Sequence, residues 1–245
     1  MNLLESQWLG QRLATIPNDA LFPLLNIGSS TLEFRTQTQP YIDQNIFAPL
    51  CACGVVVYHL DMKQAPGVDI VGNLLEPTFL NKIEKMQIRA AIISNLLEYV
   101  TNRMEICDVV MKILLPGGYL FITGPHYYPY HSDPIDTMFR PTIADMHALF
   151  PHTKIVNSAI IDSGNWRQWN VAERGRPLWR AIVRLLVPIY RPAKWWELAR
   201  QAPYIFKHIA VAGSFGGTKN SGNEAALAIE HDDRLKAVFV VMRIE

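Results

Sequence analysis

The sequence predicts a three-layer α/β domain built on a mostly parallel sheet, and three neighbouring stretches carry that prediction. Ala90 to Ser94 is a short apolar run ending at polar Asn95, as a buried parallel strand does where it reaches the edge of its sheet. Thr101 to Leu115 follows with apolar residues at Met104, Cys107, Val110, Met111 and Leu114, a spacing that lays one helical stripe against a sheet. Pro116-Gly117-Gly118 stops that helix, and Tyr119 to Thr123 is a second buried run. Strand, crossover helix and strand make one right-handed βαβ unit. Ligands of such a sheet bind beyond the carboxyl ends of its strands. That places Asn95, Glu98 and the polar stretch from His126 to Arg140 at a candidate site.

The same residues carry a resemblance. The pattern N-L-L-E-Y-V from Asn95, a helix, then L-L-P-G-G-Y-L-F-I-T ending at Thr123, resembles the class I S-adenosylmethionine-dependent methyltransferases. It is similar in particular to their small-molecule, type 11-like branch, whose core reads hvLEHv … RvLkPGGxlxixxP, with Tyr99 in place of the usual His. The resemblance covers residues 20 to 162 and the last strand, and leaves the stretch between them unaccounted for. It implies a Rossmann-like methyltransferase fold with a seven-stranded, mostly parallel sheet and an antiparallel last strand. It also implies S-adenosylmethionine as cofactor and methyl transfer, as O-methylation, to a small-molecule or carbohydrate acceptor.

Taken in order, Leu3, Leu4, Trp8, Leu9 and Leu13 have helical spacing, and Pro17-Asn18-Asp19 ends the segment. Leu21 to Ile27 reads as the first strand, passing into Gly28-Ser29-Ser30-Thr31. In the resembling family this turn is a glycine-rich loop led by an acidic residue. Gly28 sits at the first glycine, Ser30 and Leu32 stand at the second and third, and Asn26 replaces the acid. The resemblance makes Asn26, Gly28, Ser29 and Ser30 candidate cofactor residues; a loop that has lost this role is the alternative. Glu33 and Arg35 either reach the loop or are solvated.

Pro40 to Leu50, with Ile42, Ile46, Phe47 and Leu50, reads as a helix ended by Gly54, and Val55 to Leu60 as a strand stopping at Asp61. A carboxylate there can accept both ribose hydroxyls of an adenosyl ligand, since two acceptor oxygens match two adjacent donors; a cap on the following turn is the other reading. Asn73, in the segment Val68 to Leu74, occupies the family's aspartate position near adenine, and its amide can pair with the adenine edge. Asn73 and neighbouring Asp69 can instead brace the loop. Glu76 to Gln87 reads as a polar helix. Asn95 and Glu98 fall where the family places residues near the methionine moiety and the substrate, Glu98 either steering the cofactor's amino group or pairing with an arginine.

The run from His126 to Pro134 is dense in aromatics and ionisable groups, which suits a substrate floor. His131 is the candidate base, with Asp133 or Asp136 to orient it, because a histidine near neutrality can take the acceptor's proton. Substrate binding and loop structure are the other readings of His131. Asp136 and Arg140 lie four apart and can form an i,i+4 pair at a helix start, just ahead of Pro141. His-x-Asp also suggests two metal ligands, but spacing supplies no third, so no metal is expected.

Thr142 to Phe150 reads as a helix and Lys154 to Ile161 as the sixth strand; Ala225 to Glu230 and Ala237 to Ile244 look like a terminal hairpin. Between them, residues 163–222 form a basic, Trp-rich helical insertion within what is otherwise a single domain of residues 1–245. Residues 163–207 hold nine Lys or Arg against two Glu, and five of the six tryptophans. Leu178, Ile182, Leu185, Leu186 and Ile189 make one helical stripe while Arg176, Arg180 and Arg184 repeat on another face. Such a segment suits a lid, an anionic membrane surface, an anionic substrate or an oligomer contact.

A chain of 245 residues with 49% hydrophobic content can bury one good core. Its net charge of +1 gives no bias toward nucleic acid, and no nucleic-acid partner is expected. Met1 to Ile16 mixes Glu5, Gln7, Gln11 and Arg12 into its apolar residues, unlike a signal peptide, and the longest apolar runs fall short of a membrane span. Cys51, Cys53 and Cys107 form no CxxC pair and read as buried thiols. The expected location is cytoplasmic, with peripheral membrane association through 163–207. The rival function is a catalytically inactive methyltransferase-like scaffold or partner-binding subunit: the glycine-poor Gly28-Ser29-Ser30 loop favours it, while Asp61 and the polar aromatic loop oppose it. A nicotinamide dehydrogenase is disfavoured because no G-x-G-x-x-G follows the first strand.

Overall fold

The computed structural model describes residues 1–128, 135–165 and 234–245. The chain divides into two units, Met1–Ser163 with Arg234–Glu245, and Gly164–Asp233. The predicted insertion from Trp166 onward and the predicted arm Ala225 to Glu230 lie outside the described residues.

The first unit opens with α1 (Leu3–Leu13), α2 (Asn18–Leu21) and β1 (Leu24–Ile27). Two π-helical turns, Phe34–Thr38 and Asp43–Phe47, flank α3 (Pro40–Ile42) and lead into α4 (Ala48–Ala52). Then come β2 (Val57–Asp61), β3 (Ile70–Val71), α5 (Pro77–Glu84), β4 (Ile88–Ser94), α6 (Arg103–Ile113) and β5 (Leu114–Tyr127). The described chain continues with α7 (Ile143–Ala148) and β6 (Thr153–Asn165), and ends with β7 (Arg234–Ile244). No helix among the described residues is long and apolar enough to cross a membrane.

The strands form one seven-stranded sheet in the order β3-β2-β1-β4-β5-β7-β6. β1 pairs in parallel with β2 and β4, β3 and β5 extend the sheet in parallel, and β7 runs antiparallel to β5. The strands read as unbroken apolar runs because both faces are covered. Ala91, Ile93, Leu120, Ile122, Val238 and Val240 pack with Ile83 of α5, Cys107 and Val110 of α6 and Met146 of α7. Their alternates Ala90, Ile92, Phe121 and Val241 pack with Leu9 and Leu13 of α1 and with Ile46, Phe47 and Leu50. This is the expected three-layer arrangement. Strand order reverses between β1 and β4, which makes their carboxyl ends the switch point of the sheet.

The predicted helix Pro40 to Leu50 is present as one unbroken helical run, α3, the π-helical turn Asp43–Phe47 and α4, which reaches Ala52 and widens in the middle. Pro49 has no N–H to continue an α-helical ladder, and the Ala48 N–H before it reaches back to the Asp43 carbonyl. The Asn45 carbonyl then lies against Gly10 of α1, where a Cβ would collide with it. Asn45 Nδ2 also donates to Ser6 Oγ at 2.8 Å, so the apolar stripe read from the sequence still docks α1. The first strand starts at Leu24, not Leu21, because Asn18–Leu21 closes a helical turn and Pro23 forces Phe22 into extended backbone. β5 is longer than predicted. Leu114 already pairs with Ile88, and a register shift before Ala90 absorbs Pro116-Gly117-Gly118 as an irregularity within the strand. Of the cysteines expected to be buried, Cys51 and Cys53 are exposed, since they fall off the Ile42–Ile46–Phe47–Leu50 stripe. Cys107 is buried, and burial pushes its thiol up to about 12.

Candidate cofactor site at the switch point

A cavity of about 720 Å³ lies at the carboxyl ends of β1 to β4, within the size range of small-molecule sites. Asn26, Gly28, Ser29, Ser30, Asp61, Asn73 and Asn95 line it, together with Arg35 and Tyr99. Seen from the sequence these residues are spread over some seventy positions; parallel strands ending at one edge bring them together. Glu98 is not among the residues that line it and is 2% exposed.

The loop after β1 is held at both ends of its peptides. Gly28 has φ +72°, and its missing Cβ leaves room for the Leu96 side chain. The Gly28 and Ser29 N–H groups both donate to the Leu60 carbonyl, at 2.9 and 3.0 Å. Ser30 is left-handed as well, at φ +57°, and its N–H donates to Asp61 Oδ2 at 2.9 Å. Asp61 Oδ1 accepts the Lys63 N–H at 3.0 Å. Each carboxylate oxygen has more than one acceptor direction, so capping these turns and accepting ligand hydroxyls are compatible roles for Asp61.

Beneath the loop lies Arg35, 3% exposed. Its Nη1 donates to the Ser29 and Ser30 carbonyls, both at 2.8 Å, and its Nη2 to the Gly67 carbonyl at 2.7 Å. Burial pulls the guanidinium pKa down, opposed by Asp69, Asp43 and Asp61. Asn26, in the family's acidic position, is paired across the sheet with its register partner His59, Nδ2 to Nδ1 at 3.1 Å. The amide donates, so this ring nitrogen accepts. Burial first, and Arg35 second, lower the His59 pKa to about 4, against a weaker opposing pull from Asp69. At neutral pH a neutral amide–imidazole pair therefore stands where a carboxylate would otherwise be.

Asn73 spends its Oδ1 on the Leu75 N–H at 3.0 Å, which caps the turn into α5. Asn95, at φ +47°, donates its side-chain amide to Glu5 Oε2 at 3.2 Å, linking α1 to the end of β4. Glu98 accepts Thr137 N–H and Oγ1 at its backbone carbonyl, at 2.9 and 2.8 Å. Its carboxyl Oε2 has no hydrogen-bond partner among the described residues, and burial pushes its pKa up to about 7.

His131 and Asp133 lie outside the described residues. Asp136 forms the i,i+4 pair with Arg140, Oδ2 to Nη2 at 2.6 Å, within irregular loop backbone and not at a helix start. The helix begins later, where Thr142 and Asp145 close a capping box. Sequence reasoning left Arg35 undecided and missed Glu5 and His59. A lone arginine soon after a glycine-poor loop is the one signal that pointed to the first; the other two depend on contacts no local pattern encodes.

No protein-family model matches the chain, and no curated protein matches it in sequence. Solved structures do match it. One is a protein from Galdieria sulphuraria assigned as a sarcosine dimethylglycine methyltransferase: TM-score 0.50, 11% identity, 98% of this chain and 84% of that one covered. Another is the MccD protein, at TM-score 0.50 and 10% identity, with 98% of this chain and 97% of that chain covered. At such identities the likeness speaks to architecture. Together with a parallel sheet that reverses at β1 and β4 and takes an antiparallel last strand, it gives this chain the Rossmann-like fold of the class I S-adenosylmethionine-dependent methyltransferases.

Proposed function

We propose that this protein transfers a methyl group from S-adenosylmethionine to a small-molecule acceptor. The observation that carries the reading is one of placement: residues singled out by the methyltransferase resemblance, on separate strand ends, wall a single cavity at the switch point. The walls suit an adenosyl ligand. Asp61 offers acceptor oxygens for vicinal hydroxyls, the Asn73 amide can meet a base edge, and Val68, Leu74 and Leu96 supply apolar surface for a flat ring. Gly28 allows the backbone close to the ligand.

When bound, S-adenosylmethionine supplies an electrophilic sulfonium methyl. The chain's part is to fix the direction of approach and keep water out, because alignment alone contributes much of the acceleration of such a displacement. O-methylation of a small molecule or carbohydrate also requires the acceptor hydroxyl to lose its proton. His131, oriented by Asp133 or Asp136, is the proposed proton acceptor, on the resemblance and on the chemistry of imidazole.

Calorimetric titration with S-adenosylmethionine and S-adenosylhomocysteine tests the reading, and both are expected to bind below millimolar concentration. If folded protein binds neither, the scaffold reading takes its place. Asp61→Ala is expected to weaken binding by ~1.5–3 kcal/mol, the scale of a hydrogen bond to a charged group, or roughly ten- to a hundredfold. Unchanged affinity would remove Asp61 from the site.

A further inference from the structure

We infer that Arg35 is the positioning residue of this site, a buried guanidinium that fixes the two loops delivering Gly28–Ser30 and Asp61 to the cofactor; the inference rests on the methyltransferase reading. The problem it solves is visible in the backbone. Ser30 sits at φ +57°, a left-handed conformation that is unfavourable for a residue with a side chain. Such a conformation persists where its surroundings over-determine it. Here a cation holds the peptide carbonyls and an anion holds the N–H. Arg35 Nη1 binds the Ser29 and Ser30 carbonyls, while Asp61 Oδ2 takes the Ser30 N–H.

The third bond, from Nη2 to the Gly67 carbonyl, makes this more than a local brace. Gly67 closes the loop that follows Asp61, so one planar group spans both loops. A lysine ammonium carries the same charge but lacks the rigid fork that serves separated acceptors at once. The guanidinium carbon also lies 5.8 Å from the centre of the Phe47 ring, within cation–π range, a further contact that holds the side chain. Binding a ligand with loops already ordered avoids the entropy cost of ordering them on contact, so the clamp converts directly into affinity.

The test compares wild type, Arg35→Lys and Arg35→Met in thermal unfolding, amide hydrogen exchange of the ligand-free protein, and calorimetric titration with S-adenosylhomocysteine. Arg35→Lys is expected to fold, and to exchange faster in 28–34 and 61–68 together while β4 and β5 keep wild-type protection. Its affinity for S-adenosylhomocysteine should fall about tenfold, with Arg35→Met weaker again, as expected for lost charge-assisted bonds. If Arg35→Met does not fold, Arg35→Lys decides. Wild-type exchange in both loops, wild-type affinity, or faster exchange spread evenly over the core would each overturn the inference. Failure of the wild type itself to bind would reject the methyltransferase reading, and the loop exchange would still report whether Arg35 ties the loops.

Discussion

Arg140→Met is expected to destabilise the fold by about 3 kcal/mol, the scale for breaking a buried ion pair by removing one partner. The Asp136 side chain is fully closed to solvent and that of Arg140 is 12% exposed. Two bonds join them, Nη2 to Oδ2 at 2.6 Å and Nη1 to Oδ1 at 3.1 Å. The arginine also donates from Nε to the Tyr128 carbonyl at 2.9 Å, which ties the segment after Ile135 back to the end of β5. Asp136 Oδ1 accepts the Met138 N–H at 2.8 Å, and Met138 is left-handed at φ +59°. The pair thus fixes the backbone of a segment whose Thr137 is bonded to the Glu98 carbonyl at the end of β4. Taking away the guanidinium leaves the carboxylate in a place water does not reach. Asp136→Asn with Arg140→Met should recover part of the loss, because removing both charges also removes their desolvation cost. Denaturant titration of the two single variants and the double variant checks this through the coupling energy. A single-variant loss below about 0.5 kcal/mol, the range of ordinary surface substitutions, would show that the pair carries no weight.

The parts of this molecule that were legible in advance are those whose signal is local. Ala90 to Ser94 and Tyr119 to Thr123 read as buried strands because both of their faces are covered, and polar residues just beyond apolar runs marked the edge where Asp61, Asn73 and Asn95 gather. The Thr101 to Leu115 stripe gave α6 within two residues of its observed ends. What stayed hidden depends on register or on backbone acceptors. Asn26 meets His59 only because the strands pair with those residues side by side, and Glu5 reaches Asn95 across a separation of 90 residues. Arg35 binds three carbonyls, and a carbonyl has no residue type by which a sequence could announce it. The helical run from Pro40 to Ala52 kept the apolar spacing of a helix, so periodicity found the element and its buried face but not the π-helical widening ahead of Pro49.

Glu98→Gln is expected to stabilise the protein above neutral pH by on the order of 3 kcal/mol, since each unit of pKa displacement corresponds to about 1.4 kcal/mol. Glu98 is 2% exposed, and burial pushes its carboxyl up to about 7, outweighing its own backbone hydrogen bond and the pull of Arg140. In the unfolded chain the same group titrates near 4.5. Between these values the folded protein keeps a proton that the unfolded chain has released, so stability falls as pH rises through the window and levels off above 7. His59 acts in the opposite sense. Its imidazole, held down to about 4 from 6.5 by burial and then by Arg35, is neutral when folded while the unfolded chain takes up a proton. Its contribution is complete above pH 6.5 and is lost as pH falls toward 4. Over pH 4.5 to 6.5 the two slopes oppose each other and largely cancel in the wild type. Glutamine is uncharged at every pH, so Glu98→Gln removes the falling limb and leaves the rise due to His59. The variant's advantage should be near zero at pH 4.5, grow steadily, and be greatest from pH 7 upward. Denaturant midpoints measured from pH 4.5 to 8 read this directly, and a difference that does not change with pH would mean that Glu98 does not hold its proton in the folded state.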